Sequence, residues 1–356
     1  MTSNVSDFVH FLHVTYRKYG PVSAATSPPL VEIGRGGSPR RFWRIGNIPH
    51  SLVGMFHPDP PVSEAGVSEN DAFLYVQRHL EASGIAVPRV LEADLSRGWF
   101  VLEDLGNELL YERVRTASME NTQTLLSEAV RNLVLIHVHA SRGFATEQTH
   151  NEDYTAEFAR QRESGYFQQN FLREELGLDP RPLDDDLDDL ARRLRDCWTP
   201  HFLYRDFQSQ NIALKDGRLR YFDFQGARRG PRQYDLASLV FDPYLEIPTP
   251  IQKNLMAIYL DTASREDAAF DEAAFRAGFP FVAVHRLMQT LGAYGYLTRH
   301  VKKDHFRQYI PAAIRLLGRL LDEYDQLWAY PHFCRQVRVL QRRFDPGGKI
   351  HNGRRS

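Results

Sequence analysis

Cysteine is scarce: the 356 residues contain two, Cys197 and Cys334, far apart and in no Cys-x-x-Cys pair. That excludes a disulfide framework and a cysteine zinc site, and it fits a reducing compartment. An excess of either charge is also missing. Lys plus Arg number 44, Asp plus Glu 45, and the formal net charge is -1. Bulk nucleic-acid binding needs a basic surface and is disfavoured, although a local patch remains possible. No stretch approaches the roughly 18 consecutive apolar residues of a membrane span. The first residues, MTSNVSDFVHFLHVTYRKYG, lack the basic start and apolar run of a signal peptide, so the expected setting is the cytoplasm. What is present is an ordinary globular mixture, 42% hydrophobic and 25% charged, in a chain long enough for two lobes.

Periodicity divides the chain. Residues 1–24 read as an N-terminal helix, with Val5, Phe8, Val9, Leu12 and Tyr16 at helical spacing and Gly20-Pro21 ending it. Residues 25–105 read as a small β-rich lobe of five strands and one helix. Ser68 and Asp71 offer that helix a capping box, and Gly84 stops it. From 106 to 340 the pattern is mostly helical, and 341–356 is a Gly- and Arg-rich tail expected to be disordered. The run DDDLDDLARRLRDCW starts acidic and turns basic, as a solvated helix does. The expected class is α+β, with a ligand cleft between two lobes.

One strand–loop–strand element interrupts the helices: FLYRDFQSQNIALKDGRLRYFDFQG, Phe202 to Gly226. Asp206 and Asn211 stand in an Asp-x-x-x-x-Asn loop that can turn both side chains toward one point, and Asp223 ends an apolar strand. Asp and Asn alone are common turn residues. Together they offer a proton acceptor and oxygen ligands for a hard divalent cation, the parts of phosphoryl transfer; two such acids could equally activate water on a metal. Upstream, Gly34, Gly36, Gly37 and Ser38 form a turn whose backbone N–H groups could approach phosphate. It is not a Walker loop, because the Gly-Lys-Ser/Thr ending is absent. In FVLEDLG, Glu103 to Leu105 could offer backbone groups to an adenine edge.

In this order the motifs resemble the aminoglycoside phosphotransferase superfamily, small-molecule kinases with a protein-kinase-like two-lobed fold. Within it, GGSPRRFWRI, LEDLG and YFDFQGARRGPRQYDLASLVFDPY are most similar to the cell-wall amino-sugar kinases that phosphorylate the anomeric hydroxyl of N-acetylmuramate and N-acetylglucosamine. The resemblance implies Asp206 as catalytic base, Asn211 and Asp223 as Mg²⁺ ligands, ATP as co-substrate, and Asp235 as a support of the fold. It also exposes two departures. Tyr204 stands where the catalytic loop of that family has His. The third strand, SLVGMFHPDP, carries no Lys for the α- and β-phosphates, and neither Glu69 nor Glu81 is evidently placed to pair with one. Arg44, or Arg41 beside it, is the nearest replacement cation. On the acceptor side Gln208, Gln225, Arg162, Glu163 and Arg286 are the candidates, an Arg being suited to a carboxylate such as a lactyl group. Kinases of other acceptors (aminoglycoside, choline, homoserine) and a nucleotide-binding pseudokinase are the rival expectations. No nucleic-acid or membrane partner is expected.

Overall fold

The computed structural model describes residues 2–21, 28–33 and 40–344. The Gly34–Ser38 turn and the tail from 345 onward lie outside them. The first lobe is a five-stranded antiparallel sheet in the order β1-β2-β3-β5-β4. Its strands are β1 (Leu30–Ile33), β2 (Arg41–Ile45), β3 (Leu52–Phe56), β4 (Val90–Asp94) and β5 (Trp99–Glu103).

Alternation along these strands assigns two faces. Trp43, Ile45, Leu52, Phe56, Trp99 and Val101 turn toward helix α1 (Thr2–Tyr19) and form one core with Phe8, Leu12 and Tyr16. Phe8 sits at the centre, 5.3 Å from the Trp43 ring and 5.2 Å from that of Phe56. The helix lies so close to the sheet that a Cβ on Gly54 would come within 2.4 Å of Leu12 Cδ2. Met55, Phe100 and Leu102 face the other way, with Phe73, Val76 and Leu80 of helix α2 (Glu69–Ala82). Burying each such side chain contributes roughly 1.5–3 kcal/mol. The helix starts where expected: Ser68 Oγ accepts the Asp71 N–H at 3.1 Å. It stops at Gly84, whose φ of +77° is cheap for glycine.

After the hinge the chain is mostly helical: α3 (Leu110–Thr116), α4 (Met119–Ala140), α5 (Ala156–Ala159), α6 (Asp184–Arg193), α7 (Gln233–Val240), α8 (Thr249–Glu266), α9 (Glu272–Arg299), α10 (Ile310–Glu323) and α11 (Pro331–Phe344). The last runs past the boundary expected at 340. The segment 160–175 is helical as expected, but wound as π-helix over Arg160–Ser164 and Phe167–Glu175. Such turns shift the phase of the side chains that follow.

Four short strands sit inside this lobe: β6 (His201–Leu203), β7 (Ile212–Lys215), β8 (Arg218–Tyr221) and β9 (Arg228–Gly230). β7 and β8 form a hairpin closed by Asp216-Gly217, both at positive φ, while β6 pairs with β9. This nesting of one pair inside the other sets loop 204–211 beside loop 222–227. Phe222 N–H donates to Asn211 O at 3.1 Å and stitches them together.

Candidate active site

The two loops meet at the floor of the cleft. Asp235, fully buried on α7, takes the Tyr204 N–H at 2.7 Å on Oδ2 and the Arg205 N–H at 2.6 Å on Oδ1. Its Oδ2 also accepts His137 Nε2 at 2.9 Å. Burial pulls the His137 pKa down, so the ring is neutral and donates. Asp242, seven residues on and just past the end of α7, performs the same service, accepting the backbone N–H and hydroxyl of Ser209 at 2.9 and 2.6 Å. Between these two anchors Arg205 is held at φ +76°, and on the facing loop Asp223 is held at φ +65°. Non-glycine residues in this region are strained and persist where the surroundings over-determine them.

Tyr204 is buried and donates its hydroxyl to Phe222 O at 2.8 Å. The residue in the unexpected position thus ties the Asp206 loop to the carbonyl immediately before Asp223. Asn211 donates its amide nitrogen to Asp206 O at 2.9 Å, which leaves the carboxamide oxygen as the end available to a cation. Asp223 reaches solvent through the cleft. The protein around it and, second, the Asp206 carboxylate push its pKa up. One carboxylate and one amide oxygen, both hard donors, fit Mg²⁺, which is usually completed by water and substrate phosphates. Among the described residues no cluster of three His, Cys, Asp or Glu side chains could cage a metal unaided.

The acceptor candidates separate. Arg286 is buried; its Nη2 lies 4.0 Å from Asp206 Oδ1 and 3.3 Å from Gln208 Oε1, and Nε donates to Ser238 Oγ at 2.8 Å. Gln225 turns to the metal side and donates to Asp223 Oδ1 at 2.6 Å. Arg162 lines a cavity of about 400 Å³ together with Asn151, Phe158, Tyr166, Arg205, Arg228 and Gln289. Glu163 does not face that cavity, contrary to expectation. It is fully buried and accepts the hydroxyls of Tyr154 and Tyr234, with its pKa pushed up by burial. Adjacent residues on a helix point about 100° apart, so with Arg162 on the cavity its neighbour Glu163 turns inward.

Sequence reasoning missed Arg205 and Arg228. Arg228 is buried, with Nε on Gly226 O at 3.1 Å and Nη2 on Asn151 Oδ1 at 3.0 Å. Its Nη1 is buried without a hydrogen-bond partner. Burial, and after it the neighbouring Arg205, lower its pKa from 12.5 to about 9.

On the opposite wall Arg44 is not a phosphate-facing cation. Alternation places it on the cleft face of β2, but its guanidinium binds Asp104 at 2.5 and 2.9 Å, Asn107, and Gly106 O at 3.0 Å. Ser51 Oγ joins the same carboxylate at 2.6 Å. Arg44 therefore braces the hinge. Arg41 turns outward to Glu32 and stacks on Trp43. Glu103 accepts from Lys215 Nζ at 2.8 Å, its N–H donates to Arg89 O, and Lys215 Nζ also donates to Asp104 O. Leu105 remains as the hinge residue whose backbone is not committed to this network. Glu69 pairs with a cation from outside β3: Arg40 Nη2 lies at 3.2 Å. Glu81 instead accepts from Gln77 at 3.0 Å.

The profile of the phosphotransferase enzyme family matches residues 29–279. A protein of Neisseria meningitidis serogroup B, named N-acetylmuramate/N-acetylglucosamine kinase, is 31% identical over 305 residues, covering 81% of this chain and 84% of its own. Among solved structures, choline kinase from Cryptosporidium parvum Iowa II superposes with a TM-score of 0.61 at 12% identity, covering 92% of this chain and 99% of that one. ADP-bound aminoglycoside phosphotransferase APH(2'')-Ib gives 0.54 at 13%, covering 86% and 96%. At such identities the two structures establish the fold alone, and that fold is the kinase-like two-lobed architecture.

Proposed function

The chain belongs to the phosphotransferase enzyme family and is a small-molecule kinase, and on that premise we propose that it moves the γ-phosphoryl group of Mg·ATP to the anomeric hydroxyl of an amino sugar. N-acetylmuramate is the preferred acceptor and N-acetylglucosamine the second. What supports this reading is the stitching of the Asp206–Asn211 loop to the Asp223 loop, with Asn211 Nδ2 on Asp206 O at 2.9 Å and Tyr204 Oη on Phe222 O at 2.8 Å, beside a cavity lined by Arg162, Arg205 and Arg228.

Asp206 accepts the proton of the attacking hydroxyl, a role that typically contributes about 10²–10⁴-fold. Arg286 steadies that carboxylate from 4.0 Å. Asn211 and Asp223 hold Mg²⁺, which when bound neutralises charge on the transferring phosphates. Leu105 meets the adenine edge. The acceptor lies in the cavity, where Tyr166 and Phe158 offer ring faces and Arg162, Arg205 and Arg228 offer donors. Three guanidiniums against the one lining carboxylate, Glu152, leave the cavity net positive, which disfavours cationic acceptors, the polycationic aminoglycosides most and the monocation choline less, and suits a carboxylate such as the lactyl group of N-acetylmuramate.

The test is ADP release over a panel of amino sugars, neutral sugars, aminoglycosides and amino alcohols, with NMR placing the phosphate in the product. An anomeric phosphate on N-acetylmuramate, lost about 10²–10⁴-fold in Asp206→Ala, is expected. ATP binding without turnover on any acceptor would overturn the proposal.

A further inference from the structure

A guanidinium donates hydrogen bonds and never accepts one, and this fixes a second side chain beside Asp206. Arg286 donates from Nη1 to the side-chain oxygen of Gln289. The Gln289 carboxamide therefore has one orientation, with Oε1 on the guanidinium and its NH₂ turned away. Gln289 is half-buried on α9 and lines the same cavity as Arg205 and Arg228. Among the described residues its Nε2 has no hydrogen-bond partner. Arg286 has little freedom of its own. Nε donates to Ser238 Oγ at 2.8 Å and Nη1 also to Thr290 Oγ1 at 3.0 Å. Nη2 lies 3.3 Å from Gln208 Oε1 and 4.0 Å from Asp206 Oδ1, and the guanidinium sits 5.6 Å from the centre of the Tyr234 ring. One planar group thus holds the Gln289 amide with one terminal nitrogen and faces the Asp206 carboxylate with the other. Both nitrogens are bonded to the same carbon, so the free donors of Gln289 and the base stand a short, set distance apart.

The rest of the cavity wall does not duplicate this group. Arg162, Arg205 and Arg228 are charged donors. Asn151 is spent, because Oδ1 accepts Arg228 Nη2 at 3.0 Å and Nδ2 donates to Gln225 O at 2.8 Å. His150 Nδ1 lies 3.2 Å from a carbonyl, Val67 O, so its neutral ring keeps an acceptor on Nε2. The Tyr166 hydroxyl is the other neutral group able to donate. Gln289 is the carboxamide with donors to spare, and uncharged N–H groups next to the base suit an uncharged carbonyl. In a 2-acetamido sugar that carbonyl hangs from the carbon adjacent to the anomeric one, so it arrives together with the hydroxyl to be phosphorylated.

We infer that Gln289, oriented by Arg286, reads the acetamido group of the acceptor: its NH₂ donates to the acetamido carbonyl while Asp206 meets the anomeric hydroxyl. The inference rests on the amino-sugar kinase activity proposed above. It adds the residue that tells an N-acylated amino sugar from the free amine and from the plain sugar.

The test is kcat/KM for ADP release with N-acetylglucosamine, glucosamine and glucose, on the full chain and its Gln289→Glu variant. That substitution keeps the size of the side chain and its contact with Arg286, and replaces the NH₂ by an oxygen. A change it passes on to Arg286 or Asp206 acts on all three sugars and cancels in their ratios. A carbonyl left facing an oxygen loses about 5–150-fold. The ratio of N-acetylglucosamine to glucose is expected to fall by that factor, and the ratio of glucosamine to glucose to rise, because an ammonium donates to the new carboxylate. Gln289→Met, with neither donor nor charge, should lower the first ratio and leave the second unraised. Tyr166→Phe should leave both as in the wild type. Wild-type ratios in Gln289→Glu overturn the assignment, and if that variant does not fold, wild-type ratios in Gln289→Met do so. Loss of the preference in Tyr166→Phe alone gives the role to that hydroxyl and also overturns it, as does a wild-type protein that uses the three sugars equally. A wild-type protein that phosphorylates no amino sugar would instead overturn the proposed function, so the two failures are distinguishable.

Discussion

Replacing Asp235 by Asn changes one atom, and its consequences can be worked through. The carboxylate accepts three donors: Arg205 N–H on Oδ1 at 2.6 Å, Tyr204 N–H on Oδ2 at 2.7 Å, and His137 Nε2 on Oδ2 at 2.9 Å. His137 can switch tautomer, because its Nδ1 meets Tyr259 Oη at 2.8 Å and a hydroxyl serves as donor or acceptor. The backbone cannot switch. Whichever way the new amide flips, its NH₂ faces one of the two backbone N–H groups. An unpaired buried donor costs about 1–3 kcal/mol, and two bonds demoted from charge-assisted to neutral cost about 1 kcal/mol each. The sum is about 3–5 kcal/mol, a large part of the roughly 5–15 kcal/mol stability of a typical protein. Catalysis should suffer separately. The bond to Oδ1 helps hold Arg205 at φ +76°, and its loss lets that peptide relax and carry Asp206 with it. A displacement of about 1 Å costs on the order of 10²-fold. Urea unfolding should show the stability loss. Steady-state kinetics should show kcat about 100-fold lower, with KM for ATP within a few-fold of wild type. A stability loss below about 1 kcal/mol, or an unchanged kcat, would refute the role given to Asp235.

Tyr204→Phe removes the hydroxyl from Phe222 O; unfolding experiments should show a loss of about 1–3 kcal/mol, and kcat should fall with acceptor KM unchanged. Arg162→Ala, at the exposed rim of the cavity, should raise KM for N-acetylmuramate about ten-fold and leave that for N-acetylglucosamine near wild type, a ratio read directly from initial rates. His285 is fully buried, its pKa lowered from 6.5 to about 4, chiefly by burial. The unfolded chain therefore binds more protons between pH 4 and 6.5, so this contribution is complete above pH 6.5 and is lost as pH falls toward 4. It amounts to about 3 kcal/mol, and urea unfolding from pH 4.5 to 7.5 should show a slope that His285→Leu flattens.

Much of this was legible in the sequence wherever local chemistry dictates geometry. The β lobe follows from alternation, α2 from Ser68 and Gly84, and the loop pair from the spacing of Asp206, Asn211 and Asp223. The misses have physical causes. Alternation assigns Arg44 to the cleft face, and it is there, but no pattern in the sequence says that Asp104, sixty residues on, will bind it. Arg40 precedes the strand, where alternation no longer applies, and its partner lies on a helix. Glu163 sits next to Arg162 in the sequence, but neighbouring helical residues point about 100° apart, and only the packing shows that it is the inward one, on Tyr154 and Tyr234. Arg228 follows the Asp223 loop, and only the pairing of β9 with β6 reveals that it lines the cavity.

Arginines around the cleft also differ in what neutralises them. Arg40 has Glu69 and Arg44 has Asp104, both within 3.2 Å. Arg286 has Asp206 at 4.0 Å. Among the described residues no acid lies within 4.0 Å of the Arg228 guanidinium. It rests on a carbonyl, an amide oxygen and the Phe158 ring at 4.4 Å. A buried charge without a counter-charge is expensive, and lowering its pKa from 12.5 to about 9 corresponds to about 4–5 kcal/mol. The Phe158 face and the two hydrogen bonds offset part of that, yet a residue retained for stability would not sit there charged. Under the proposed function, the acceptor's carboxylate would supply the counter-charge that Arg228 lacks. Arg228→Gln keeps a donor near Asn151 and removes the charge. It should raise the unliganded protein's stability by about 1–3 kcal/mol, raise KM for N-acetylmuramate at least ten-fold, and cancel the stabilisation that N-acetylmuramate gives the wild type in thermal unfolding. A destabilised Arg228→Gln protein that still binds N-acetylmuramate normally would show instead that Arg228 is an internal strut, with the acceptor's charge read elsewhere.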